Sequence, residues 1–179
     1  MHSSGWQTRH SQYLYKSRWY NLRQDEVLLP SGEIITYTLV EHGGYVVVVP
    51  VLDDGRVVME RVYRYPLQRT LFECPSGGRD GDAPEAAARR ELEEETGYLA
   101  GTISHLGHFA GSSGMSTEAF DVFLATDLRA DGVVRREPTE EMTIELVPLT
   151  ELRVRVLRGE MEDGPTSLAI LLAASALGI

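Results

Sequence analysis

The segment PSGGRDGDAPEAAARRELEEETGY, residues 75–98, constrains this chain more than any other part of it. Asp82 at an N-cap position with Glu85 three residues later forms a capping-box pattern, Pro84 sits in the first turn, and Gly97 supplies a C-cap, which predicts a helix over about residues 83–96. On that helix Glu91, Glu94 and Glu95 stand three and four residues apart, so their carboxylates converge on one side. Like charges one turn apart repel unless cations neutralise them, and the repulsion grows with burial. Hard oxygen donors of this kind suit magnesium, which binds through a few carboxylates and keeps its remaining positions for water and phosphate. A second reading of the same residues is a solvated helix in which Arg89 and Arg90 pair with the glutamates and Ala86 and Leu92 face a core.

The surroundings suit one globular domain with a small appended piece, since 179 residues with 42% hydrophobic content supply one substantial core. Strand-like pieces at 25–29 and 34–39 flank the turn Pro30-Ser31-Gly32, giving a candidate N-terminal antiparallel sheet over 18–43. The remainder, 44–179, carries the strand patterns 45–52, 56–65, 103–109, 119–125 and 142–148. Helices are expected near 150–159 and after Asp163-Gly164-Pro165-Thr166. Residues 1–17 lack the apolar stretch of a signal peptide and are expected as a flexible tail. A formal net charge of -10 disfavours nucleic acid as a partner and leaves a polyphosphate acceptable only where metal offsets the acidic groups. The lone Cys74 forms no internal disulfide and no apolar run is long enough to span a bilayer, so a cytoplasmic protein without membrane contact is expected.

From Arg90 to Tyr98 the sequence reads RELEEETGY, which resembles the second half of the Nudix box, Arg-Glu-U-x-Glu-Glu-x-Gly-U with U a bulky apolar residue, at every defined position. The first half departs: Asp82 stands at the position of the box's leading glutamate, and the loop from Gly77 is one residue shorter than usual. The resemblance implies a Nudix fold of the α/β (α+β) class, a mixed β-sheet sandwiched between helices with a small N-terminal antiparallel sheet. It implies Glu91 and Glu95 as principal metal ligands, Glu94 as a further one, and Arg90 holding a glutamate. Magnesium is the expected ion, with manganese as a substitute. Asp82 is read here as an N-cap.

Within that family the chain resembles ADP-ribose and ADP-sugar pyrophosphatases from about Arg18 to Ala174. Glu73-Cys74-Pro75-Ser76-Gly77 stands where that branch has Glu-x-Pro-Ala-Gly, which implies that the backbone carbonyl of Ser76 binds metal and that Glu73 is a metal-side acid. Arg64, eleven residues before Pro75, matches an arginine that contacts substrate phosphate. Trp19 and Tyr37 resemble aromatic residues that sandwich the adenine from different subunits of a homodimer. In the acidic run 137–141, Glu140 is the first choice for the residue that positions the attacking water, Glu141 the second and Glu137 the third. The implied reaction is hydrolysis of ADP-ribose to AMP and ribose 5-phosphate. The alternatives are the same chemistry on another nucleotide sugar such as GDP-mannose, or a non-catalytic ADP-ribose-binding module.

Overall fold

The structure is a computed structural model that describes residues 5–136 and 141–179. Two compact units divide the chain: Met1–Gly44 with Ala110–Ala119, and Tyr45–Phe109 with Phe120–Ile179. The first unit is an antiparallel sheet of β1 (Gln7–Lys16), β2 (Tyr20–Leu28) and β3 (Ile34–His42), in that spatial order. Residues 7–16 are therefore a strand, in contrast to the flexible tail expected for 1–17. Their backbone pairs with β2 from Gln7 opposite Leu28 to Lys16 opposite Asn21. Every side chain of β1 is exposed, so the strand carries no alternation of apolar and polar residues by which sequence reveals a half-buried strand. The segment 110–119 also belongs to this unit: the Val40 N–H donates to Met115 O at 2.9 Å and the Thr117 N–H to Val40 O at 2.9 Å.

The second unit holds a mixed sheet in the order β7 (Ser76–Gly78), β4 (Tyr45–Pro50), β9 (Ala119–Arg129), β8 (Leu99–Ala110), with β4 parallel to β9 and antiparallel to β7. A smaller antiparallel sheet runs β10 (Met142–Pro148), β5 (Arg56–Arg64), β6 (Arg69–Glu73). Alternation along β4 sends Val46 and Val48 to one face and Val47 and Val49 to the other. The first pair packs with Ala87, Ala88 and Leu92 of α1 (Pro84–Thr96), and the second with Ala169, Ile170 and Ala173 of α3 (Gly164–Ala176). Leu149 and Leu152 of α2 (Leu149–Leu157) join the latter cluster. This is the expected mixed sheet between helices. The buried stripe of α1 is Ala87, Ala88 and Leu92, whereas Ala86 is exposed. No helix among the described residues is long and apolar enough to cross a membrane.

Candidate active site

Three backbone anchors bring the segment 74–78 beside α1. The Cys74 N–H donates to the Thr166 hydroxyl at 3.0 Å, the Val48 N–H to Pro75 O at 2.9 Å, and the Ser76 N–H to Glu95 Oε2 at 2.9 Å. Thr166 is held in the first turn of α3, where its own N–H donates to Asp163 Oδ2, the N-cap, at 2.8 Å. Gly77 then lies directly on the Glu91 carboxylate, where an added Cβ would overlap the carboxylate atoms. Only glycine allows this approach.

Glu91 and Glu95 are 6% and 4% exposed, so they do not belong to a solvated, salt-bridged face. Arg90 is nevertheless paired as the alternative reading required. Its Nη1 lies 2.6 Å from Glu91 Oε1 and 3.2 Å from Glu94 Oε2, and its Nη2 donates to Gly78 O at 2.8 Å. Partial burial works against the charge of Arg90, but the Coulomb attraction of Glu91 and the hydrogen bonds to Glu94, Glu91 and Asp82 outweigh it and raise its pKa. Arg89 pairs away from the site, with Glu85 at 3.0 Å.

Asp82 is not the N-cap. Ala83 occupies that position without a side-chain cap bond, and Asp82 Oδ2 accepts from Arg90 Nε at 3.3 Å. A capping reading and a box-carboxylate reading require different side-chain partners, and in this structure the Asp82 carboxylate takes the arginine. Gly97 does cap the C-terminus, with φ 75° and its N–H on Glu93 O at 2.8 Å.

Arg64 ends β5 with its Nε 2.9 Å and its Nη2 2.5 Å from the two oxygens of Glu73, a fork on a carboxylate that is itself buried. The hydrogen bond to Glu73 raises the arginine's pKa most, burial opposes it, and Glu95 and Asp163 add attraction, which places Arg64 within the field of the helix carboxylates. The segment just before the acidic run is tied to the last turn of α1. The Arg135 N–H donates to Glu94 O at 2.8 Å, Arg136 Nε to Glu95 O at 2.8 Å and Arg136 Nη1 to Met142 O at 3.2 Å. Of the three candidate acids, Glu137 and Glu140 lie outside the described residues. Glu141 is exposed, and its carbonyl accepts from the Tyr63 N–H at 3.3 Å.

The two aromatic residues are apart in one chain. Trp19 is 57% exposed with the Arg18 guanidinium 4.1 Å above its ring, in a cleft with Tyr20, Glu41 and His42. Tyr37 donates its hydroxyl to Gly114 O at 2.7 Å and meets Trp6 edge-on at 6.5 Å. In the β2–β3 register Tyr20 faces His42 and Asp25 faces Tyr37, which separates the two regions by five residues, about 17 Å along the strand. Trp6 went unread because it sat in the supposed tail. The buried Asp121 with His105 and His108 also escaped sequence reading, since these histidines lack metal-ligand spacing.

The donors around Gly77 are carboxylate and carbonyl oxygens, a set that suits a hard divalent cation. Among the described residues no three Asp, Glu, His or Cys side chains are gathered as a ready-made metal cage. Arg90 holds Glu91 and Glu94, and Glu95 turns to Ser76. The glycine cradle keeps the space over Glu91 free of a side chain, so the residues fit such an ion once the carboxylates turn towards it.

The NUDIX domain family matches residues 42–168, and the family described as nucleoside diphosphate sugar hydrolase N-terminal domain matches residues 6–40. An ADP-ribose pyrophosphatase of Mycobacterium tuberculosis is 37% identical over 168 residues, which cover 92% of this chain and 81% of that protein. One from Bacillus subtilis is 35% identical over 160 residues, with 88% and 86% covered. A crystal structure of an ADP compounds hydrolase superposes with a TM-score of 0.85 at 20% identity, covering 97% of this chain and 94% of the other, which is a likeness of fold.

Proposed function

This chain belongs to the Nudix hydrolase family, and from that premise we propose that it is a magnesium-dependent, cytoplasmic homodimer that hydrolyses the diphosphate of a nucleotide sugar, ADP-ribose first among them, to AMP and ribose 5-phosphate. The observation that carries the reading is the buried Glu91–Glu95 pair beside Gly77 and the Ser76 N–H. Buried carboxylates one turn apart require compensating positive charge, which Arg90 supplies in part.

In this reading Glu91, Glu94, Glu95 and the Ser76 carbonyl hold magnesium, with manganese as a substitute. When bound, the ion polarises the phosphoryl oxygens and makes its water a better nucleophile. Glu73 holds the Nε and Nη2 edge of Arg64 and so orients the guanidinium, whose remaining N–H donors suit a phosphate oxygen. Arg90 keeps Glu91 and Glu94 in place through charge-assisted bonds. Glu140, or Glu141 beside it, orients the attacking water. Trp19 and Tyr37, contributed by different copies of the chain, stack on the nucleobase. The about 17 Å of strand between their regions within one sheet supports a two-chain sandwich.

A panel of nucleotide sugars assayed with magnesium, through phosphate released by a coupled phosphatase, tests substrate and activity together. ADP-ribose should turn over fastest. A preference for GDP-mannose would reassign the substrate, and inactivity on every member would reject the reading. Glu95→Gln should lower kcat by orders of magnitude with circular dichroism and Tm unchanged, and chelation should abolish turnover until magnesium is restored. Wild-type turnover in that variant would remove Glu95 from the metal site.

A further inference from the structure

Asp121 lies on β9, 5% exposed, and three basic groups face its carboxylate. Its Oδ1 is 2.9 Å from His105 Nε2 and 3.1 Å from His108 Nδ1, both on β8. Its Oδ2 is 3.8 Å from Arg79 Nη1, and among the described residues neither this oxygen nor the buried Arg79 Nε has a hydrogen-bond partner. His105 Nε2 is hydrogen-bonded to Oδ1, while His108 Nδ1 stands beside it without a hydrogen bond. Burying a carboxylate is costly unless it is paired and hydrogen-bonded, and Asp121 meets that cost through His105 and the Arg79 charge.

Arg79 belongs to the loop under the catalytic helix. Gly77 on β7, Val46 on β4 and Asp121 on β9 stand in one row across three strands, so Asp121 lies about 10 Å from Gly77. Between them the chain turns sharply, with Asp80 at φ 48° and Gly81 at φ 92°, and the Asp82 N–H closes the turn on Arg79 O at 2.7 Å. One side of the turn is fastened by Arg90, which bonds Gly78 O and Asp82. On the other side Arg79 reaches Asp121 in an ion pair at 3.8 Å, without a hydrogen bond. The two arginines differ: Arg90 also serves Glu91 and Glu94, whereas Arg79 faces only Asp121 among the ion pairs of the described residues.

We propose that Asp121, steadied by His105, is a positioning residue that attracts Arg79 and so keeps Gly77 against the Glu91 carboxylate. Asp121 touches no reacting atom; it acts through the loop. The inference rests on Glu91 being a metal ligand, as proposed above.

Asp121→Asn keeps the shape of the side chain and removes its charge. Three quantities decide the matter: manganese affinity by electron paramagnetic resonance without substrate, amide exchange of the segment 76–84, and the split between kcat and KM. Manganese affinity should fall about 10- to 100-fold, the magnitude usual for groups that orient metal ligands. Exchange should rise in 76–84 alone, and kcat should fall with KM little changed. Arg79→Gln should reproduce these effects, and the double variant should be no worse than the more affected single one. If Asp121→Asn does not fold, Arg79→Gln and His105→Gln carry the same readouts. Wild-type manganese affinity and wild-type exchange at 76–84, or additive losses in the double variant, would overturn the proposal. The first two readouts need no substrate, so inactivity towards every nucleotide sugar would reject the proposed reaction without deciding this one.

Discussion

Gly77 shows how closely single residues are set in this site. Its missing Cβ is the space against which the Glu91 carboxylate rests, so Gly77→Ala must displace either the loop or the glutamate. A displacement of about 1 Å at a reacting centre costs about 100-fold in rate, and that is the loss of kcat expected for this variant in a steady-state assay. Cys74 is the neighbouring contrast. Burial pushes its thiol well above the ordinary range, with Glu60, Asp163 and Glu73 adding to the shift, so the thiolate is scarce in the folded protein at pH 8. A thiol reagent should leave Cys74 unmodified in native buffer and label it fully in denaturant. Rapid labelling of the native protein would contradict its placement. Asp82 marks what a local pattern leaves undetermined: the capping-box spacing is present, yet the side chain turns to Arg90, eight residues on, a partner that the spacing of the cap does not reveal.

At the scale of elements, legibility followed how far each segment signals its own burial. Helix α1 and strands β4, β5 and β10 were readable because periodic apolar positions meet cap or turn residues at their ends. Strand β7 is Ser76-Gly77-Gly78, whose composition reads as loop. It forms because β4 offers backbone partners and Glu91 leaves no room for a side chain. Strand β6, five residues between Pro66 and Pro75, is too short to show an alternating pattern of its own. The place of Glu91, Glu94 and Glu95 on one helix is visible from spacing alone, while the anchoring of segment 74–78 from α3 is not, since Thr166 and Cys74 are 92 residues apart. That support is measurable. Thr166→Val strands the buried Cys74 N–H and should cost about 1–3 kcal/mol, against about 1 kcal/mol for removing the α3 cap with Asp163→Ala. Urea denaturation would rank the two. A smaller loss for Thr166→Val would mean that Cys74 finds another acceptor.

For the whole molecule, exposed Trp19 just before β2 and half-buried Tyr37 on β3 belong to a unit whose first strand has only exposed side chains. If two copies complete one nucleobase site, KM for ADP-ribose should rise as the protein is diluted through its dimer dissociation, followed by sedimentation. Trp19→Ala should raise KM about 10-fold with kcat little changed, the loss of about one stacked face. A KM independent of concentration and of Trp19 would assign base recognition to other residues. The chain also visits its first unit twice, once at Met1–Gly44 and again at Ala110–Ala119, where Met115 and Thr117 bond Val40. During vectorial synthesis the first forty residues leave the ribosome long before residues 115–117, the partners that Val40 requires. Strand β3 must therefore wait with an open edge at Val40 while α1 and β8 are being synthesised.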